Sequence, residues 1–269
     1  MKVARTIADL RAALDPGPGR APSIGLVPTM GALHAGHLSL IEAARGGCEQ
    51  VVVSLFVNPA QFGRGEDLEA YPRDEASDIA AAEAAGVDVL FAPDAQQMYP
   101  DGFDTWVDPG KVGTFLEGSA RPGHFRGVAT VCAKLFQLAK PQRAYFGRKD
   151  AQQVAVVKQL VRDLDLPVEI VACPTVRDAD GLALSSRNVF LSPEQRAAAL
   201  ALPKSLQAGL AAHRAGGDAV RAARDVLDAE PGVRVDYVAE ADLDGPTLAA
   251  AVLVGSTRLI DNVALDAEG

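Results

Sequence analysis

Residues 24–45, IGLVPTMGALHAGHLSLIEAAR, carry the side chains best suited to chemistry: His34 and His37, spaced as HxGH. The apolar run 24–27 meets Pro28, which cannot continue a central strand, so a strand is expected to end there. Residues 29–33 read as a turn, in which Gly31 lets backbone approach a ligand. A helix is then expected from His34 or His37, with Leu38, Leu40, Ile41 and Ala44 on its buried face. Two imidazoles thus stand one turn apart at a helix N-terminus, among unpaired backbone N–H groups and the positive end of the helix dipole. Such a strand–loop–helix junction suits a phosphate. The imidazoles would suit charge developing on a phosphoryl group. Three other readings fit these residues taken alone. The pair can be surface histidines, two of the four in the chain. They can be metal ligands, although no third ligand stands nearby at compatible spacing. Gly31 can simply serve a tight turn.

Two more clusters occupy comparable places. Gly147-Arg148-Lys149-Asp150, with Gln152 and Gln153 just beyond, follows a short apolar strand at 144–146. Lys149 can bring a point charge to phosphate and Asp150 can accept a ribose hydroxyl, or the pair can cap a helix. Leu184-Ser185-Ser186-Arg187-Asn188 lies in a polar loop after Asp178-Ala179-Asp180-Gly181. Two hydroxyls and an arginine there suit closure over phosphates, or a hinge with capping serines.

The elements that must position these clusters alternate in type. QVVVSLFV at 50–57 is a largely apolar run, as expected of a strand buried on both faces, and it stops at Asn58-Pro59. A polar loop follows at 61–71, then helical composition at 73–85 and another buried strand at 87–92. This β-α-β-α-β order predicts a Rossmann-like parallel sheet with helices on both faces. Ligands in such sheets sit beyond the C-terminal strand ends, where 28–30 and 58–61 fall. Upstream, Val3, Ile7, Leu10 and Leu14 fit one face of an opening helix. Residues 110–127, with Glu117, Arg121, His124 and Arg126, read as a long loop of the lid or binding kind, or an insertion. Helices are expected at 128–139 and 151–163, and a strand at 167–172.

From Ser192 the pattern changes. Ser192-Pro193-Glu194-Gln195 is a capping-box start to a helix running to about 211 and kinked at Pro203. A second helix is expected after Gly217, then a strand marked by Val233, Val235, Tyr237 and Val238, and two more apolar runs. The expected organisation is a Rossmann-like domain followed by a smaller C-terminal α+β domain, with the boundary between Val176 and Ser192 and set at 184/185.

The chain has 269 residues, 48% hydrophobic and 23% charged, with a formal net charge of −9. These values suit a soluble globular protein and argue against broad nucleic-acid binding, which needs a basic face. A local cluster of Arg, Lys and His can still oppose the global sign and bind an anionic small molecule. No apolar stretch reaches the roughly 20 residues of a membrane span, and the first residues lack the apolar core of a signal peptide. Cys48, Cys132 and Cys173 are odd in number and widely spaced, which suits buried thiols in a reducing cytoplasm.

Taken in order, the motifs resemble the pantothenate synthetase (pantoate–β-alanine ligase) family, within the nucleotidyltransferase superfamily that carries HxGH. The resemblance rests on PTMGALHAGH at 28–37, FVNPAQF at 56–62, YPRD at 71–74 and RPGHFRGV at 121–128. It continues through YFGRKDAQQ at 145–153 and PTVRDADGLALSSRN at 174–188. What it implies is condensation of (R)-pantoate with β-alanine, using ATP and Mg²⁺, through pantoyl adenylate, with release of pyrophosphate and AMP. It implies an ATP site at Met30, Gly31, Ala32, Leu33, His34, Ala35, Gly36 and His37, joined by Gly147, Arg148, Lys149, Asp150, Val176, Leu184, Ser185, Ser186 and Arg187. The catalytic assignments it carries are His34, His37, Lys149 and Arg187. Gln61 matches a contact to both pantoate and β-alanine, and Gln153 a contact to pantoate. His37 matches the family's assigned proton donor, but carboxylate attack on phosphorus needs no obligatory proton transfer, which favours charge stabilisation. The ligands of Mg²⁺ are left unassigned, with Asp78 an acidic contributor by position only. A cytoplasmic homodimer is also implied. Leu184, Arg148 and Ala151 depart from the family's frequent Met, Glu and aromatic residue. The alternative reading is a nucleotidyltransferase that forms a stable nucleotide conjugate.

Overall fold

The computed structural model describes residues 1–63 and 65–266. In chain order its elements open with β1 (Lys2–Ala4), α1 (Ile7–Leu14), β2 (Ile24–Thr29), α2 (Ala35–Gly47), β3 (Gln50–Leu55), α3 (Glu75–Ala84) and β4 (Val89–Phe91). They continue with α4 (Ala95–Met98), α5 (Glu117–Ala120), α6 (His124–Ala139), β5 (Arg143–Gly147), α7 (Ala151–Asp163) and β6 (Glu169–Cys173). Helices α8 (Pro193–Ala199), α9 (Ala201–Arg214) and α10 (Ala219–Asp228) precede β7 (Val233–Asp242), β8 (Pro246–Val254) and β9 (Thr257–Ala264).

The first six strands form one parallel sheet in the order β1-β4-β3-β2-β5-β6. Chain order runs outward from β2 through β3 to β4, with β1 added beyond β4 at the edge, and in the other direction from β5 to β6. The gap between β2 and β5 is the topological switch point, where ligands bind in sheets of this kind. The apolar runs that predicted β2 and β3 bury Val27, Val51 and Val53 completely against Ile41 and Ala44 of α2. The expected Rossmann-like sheet is present.

Local departures from the expectations have physical reasons. Residues 2–4 form an edge strand paired with β4 instead of starting a helix, and Thr6 caps α1 through a reciprocal bond with Asp9. Pro28 does not end its strand, because β2 continues through Thr29 alongside β3. Its pairing with β5 reaches only Gly25 and Leu26, so beyond them β2 has a neighbour on one side and the missing proline N–H costs little. The stretch 110–127 contains a 3₁₀ turn at Gly110–Gly113, the helix α5 and the start of α6. Pro203 kinks nothing: the helix breaks at Leu200, and Pro203 lies in the first turn of α9, where its N–H would lack a partner anyway.

The chain divides into two units, residues 1–147 with 155–173, and residues 148–154 with 174–269. The division after Cys173 lies upstream of the expected boundary at 184, because residues 174–184 are tied to the C-terminal strands. There Arg177 forms a bidentate pair with buried Asp261, at 2.6 and 3.0 Å. The second unit packs α9 and α10 on the antiparallel sheet β7-β8-β9 around Leu202, Leu206, Leu227, Leu248 and Val252.

Candidate active site

In the first unit, the turn between β2 and α2 is held in an unusual backbone shape. Gly31 has φ 89° and Ala32 φ 51°, both left-handed. A side chain rarely adopts that region without support. The support is Asp78 of α3, whose carboxylate is 4% exposed. It accepts the N–H of Ala32 at 3.0 Å and of Leu33 at 2.7 Å. With both oxygens engaged in this way, Asp78 acts as an anchor for the turn.

The two histidines cap α2 reciprocally. His34 Nδ1 accepts the N–H of Gly36 at 3.1 Å, and His37 Nδ1 accepts the N–H of His34 at 3.4 Å. In a neutral imidazole an accepting Nδ1 puts the proton on Nε2, so each ring carries its donor on the atom farther from the helix backbone. The ring centroids are 4.1 Å apart. This motif stands at the C-terminal end of β2, beside the switch point where Gly147 ends β5.

Gln61 closes on the same turn from the end of β3. Its Nε2 donates to Met30 Sδ at 3.0 Å, and its Oε1 accepts from Asn58 Nδ2 at 3.0 Å. Asn58 is 1% exposed and fully engaged. Its Oδ1 accepts Tyr99 O–H at 2.8 Å and the N–H of Ala60 at 3.2 Å, while Nδ2 also donates to Gly127 O at 3.2 Å. That pattern fixes which end of each amide is which, and it leaves Gln61 presenting N–H groups. Burial pushes the Tyr99 hydroxyl up, which keeps it a donor.

The Gln61 backbone is held as well. His124 Nδ1 donates to Gln61 O at 2.8 Å, and its Nε2 accepts from Arg121 at 3.1 Å. Burial, then the Arg121 charge, lowers His124 to about 4, so the ring is neutral. Arg121 also pairs with Glu66 at 2.6 Å. Burial alone would raise the Glu66 carboxyl, yet its hydrogen bond and charge pairing with Arg121 hold it below the usual value. Gly127 is required here, since a Cβ would lie 2.2 Å from Ala60 O and 2.6 Å from Gln61 N. A cleft of about 260 Å³ opens at the C-terminal ends of β3 and β4, lined by Met30, Phe56, Arg73, Asp78 and Asp94 among others.

The second unit brings together the remaining expected residues. Arg148, Lys149 and Asp150 form one 3₁₀ turn, with Lys149 Nζ 3.7 Å from Asp150 Oδ1, and Gln153 follows half-buried in α7. Val176 and Leu184 face each other across a tight turn, Leu184 N–H donating to Val176 O at 3.0 Å, with a bridge between Arg177 and Ala183. Arg196 clamps that turn through Asp178 and Asp180. Ser185 caps the next 3₁₀ turn, Ser186–Phe190, by accepting the N–H of Arg187 at 3.2 Å. The Leu184 departure leaves its backbone bond untouched, and Arg148 turns to Asp244 at 3.5 Å.

The supporting roles are not legible locally: Asn58 reads as a strand stop at a ligand-bearing strand end, Asp78 only as an acidic residue by position, and Tyr99 carries no signal. The Asn58-Pro59 pair was the one local signal, an Asx residue capping the 3₁₀ turn Pro59–Gln61.

Comparison with known proteins identifies the family and the fold. The family model for pantoate-beta-alanine ligase matches residues 2–264. A pantothenate synthetase of Roseiflexus sp. (strain RS-1) is 54% identical over 281 residues, covering 99% of this chain and all of the relative. The crystal structure of pantothenate synthetase from Thermus thermophilus has a TM-score of 0.92 at 49% identity, covering 98% of this chain and 99% of its own. A pantoate-beta-alanine ligase from Francisella tularensis, solved in complex with beta-gamma ATP and beta-alanine, has a TM-score of 0.86 at 36% identity, covering 100% of this chain and 99% of its own.

Proposed function

The chain belongs to the pantoate-beta-alanine ligase family and joins pantoate to β-alanine in an ATP-dependent reaction; on that premise we propose how its residues divide the chemistry. The pantoate carboxylate attacks the α-phosphorus of ATP, pyrophosphate departs, and pantoyl adenylate remains. The β-alanine amine then attacks the acyl carbon, loses a proton and displaces AMP. His34 and His37 donate Nε2–H to phosphate oxygens as charge moves onto them, and neither needs to transfer a proton. The observation that carries this reading is the paired cap, in which both Nδ1 atoms accept backbone N–H groups at a helix N-terminus.

Gln61 offers N–H donors to a carboxylate or hydroxyl oxygen of pantoate, exchanging its weak contact with Met30 sulfur for a stronger acceptor. It also meets β-alanine, and Gln153 is the second amide on pantoate. Lys149 brings positive charge to the phosphates, with Gly147, Arg148, Asp150, Val176 and Leu184 around the nucleotide. Ser185, Ser186 and Arg187 close over the phosphates. Among the described residues no group of three or more His, Cys, Asp or Glu is placed to hold a metal ion. Asp78 is engaged with the turn through both carboxylate oxygens. Magnesium, where it serves, would be carried on the nucleotide phosphates and would neutralise their charge. Assembly as a cytoplasmic homodimer completes the reading. Among the described residues no helix is long and apolar enough to cross a membrane.

Pyrophosphate release from ATP and Mg²⁺, measured with and without pantoate and then with β-alanine, tests the assignment. Release must depend on pantoate, and pantothenate must appear only after β-alanine is added. His34→Ala and His37→Ala should each raise the adenylation barrier by roughly 2–4 kcal/mol. Unchanged single-turnover adenylation in both variants would refute their charge-stabilising role.

A further inference from the structure

Two consecutive residues near the end of the chain, Asp261 and Asn262 of β9, fasten two segments that are far from them in sequence. Asn262 Nδ2 donates to Arg148 O at 2.9 Å and to Lys149 O at 2.8 Å, so both of its amide hydrogens are spent on the turn that carries Lys149. Asp261, 2% exposed, receives Arg177 in the bidentate pair that follows Val176. Its Oδ1 also accepts the Asn262 N–H at 2.8 Å, which links the two clamps. This 3₁₀ turn of three residues runs directly into α7, and the Asn262 clamp on its Arg148 and Lys149 carbonyls is what fixes its outer end.

We propose that Asn262 is a positioning residue of the nucleotide site that sets Lys149 toward ATP, while its neighbour Asp261 holds the segment after Val176 through Arg177. This rests on the reading that Lys149 contacts ATP. The alignment is specific in chemistry. Only a group with two hydrogens in one plane serves both carbonyls, and a carboxylate in its place meets two acceptors.

The test is pyrophosphate release at varied ATP and, separately, at varied pantoate, in N262A, N262S, N262D and K149A, with melting temperatures alongside. Losing two hydrogen bonds in N262A should raise the ATP concentration for half-maximal release roughly tenfold. N262D should exceed that, and N262S, which keeps one donor, should fall between N262A and the native protein. The pantoate requirement should stay within about twofold. If N262A does not fold, N262S and N262D carry the comparison. An unchanged ATP requirement in N262A and N262D, or equal losses for ATP and pantoate together with a fallen melting temperature, overturns the positioning role. If K149A leaves the ATP requirement unchanged, the nucleotide reading of Lys149 fails instead, and that result is separate from any effect at Asn262.

Discussion

Replacing Asp78 by Asn tests whether the HxGH turn depends on one buried carboxylate. In the native protein that carboxylate takes the N–H groups of Ala32 and Leu33 at 3.0 and 2.7 Å. The turn it holds has Gly31 at φ 89° and Ala32 at φ 51°, and the Ala32 backbone costs on the order of 1–2 kcal/mol in that region. Asparagine keeps the volume, but one oxygen becomes an NH₂ that faces a backbone N–H. One charge-assisted bond, worth about 1.5–3 kcal/mol, is lost and the other becomes a neutral one. The turn then has little to offset its strain, and His34 and His37 leave the geometry that their cap requires. If about 2–3 kcal/mol of this appears in the adenylation barrier, single-turnover pyrophosphate release should slow by roughly 30- to 150-fold. The assay is run at saturating ATP and pantoate across a Mg²⁺ titration. An anchoring role lowers the rate at every Mg²⁺ concentration without moving the Mg²⁺ midpoint. A rate within about threefold of native would refute the argument, and so would a D78N rate restored by high Mg²⁺, which would make Asp78 a metal ligand.

Other expected outcomes follow from the supports of Gln61. Tyr99→Phe removes one hydrogen bond to Asn58 Oδ1, about 1 kcal/mol. It should raise the pantoate requirement roughly fivefold while the ATP requirement holds, as steady-state titrations of each substrate would register. Gly127→Ala places a Cβ against Ala60 O and Gln61 N, neither of which can yield as a flexible side chain would. It should lower stability by roughly 1–3 kcal/mol in denaturant titration and suppress pantoate-dependent adenylation. His124 governs one window of acid stability. Burial lowers it to about 4 from 6.5, so as pH falls the unfolded chain takes up the proton first. Stability should decline between pH 6.5 and 4, by up to about 3 kcal/mol. His124→Asn should flatten that part of the profile. Glu66, held below its ordinary 4.5, loses its contribution only in the more acid range beneath it. A native profile that is flat from pH 6.5 to 4 would refute the buried neutral histidine.

Local patterns alone determine a good deal of this protein. Continuous apolar runs at 24–27 and 50–57, interleaved with helical stretches, dictate a parallel sheet, since a strand buried on both faces needs helices above and below. The apolar periodicity of Leu38, Leu40, Ile41 and Ala44 starts a helix beside His34 and His37, so their spacing puts both rings at its first turn. Patterns of this kind express contacts within about four residues, and there the reading is secure. Where an element's fate depends on its neighbours the reading fails. Pro28 stays in β2 because β5 pairs only lower down, and residues 2–4 become a strand because β4 supplies an edge. The supports of the site are the extreme case. Tyr99 meets Asn58 across 41 positions, Asp78 meets the HxGH turn across 45 and 46, and Asn262 meets the Lys149 turn across 113 and 114. A buried amide or carboxylate must find partners, but nothing in its own vicinity along the chain says which ones. Only the packed sheet and its loops bring those donors and acceptors within about 3 Å, and that packing decides how the reactive groups are aimed.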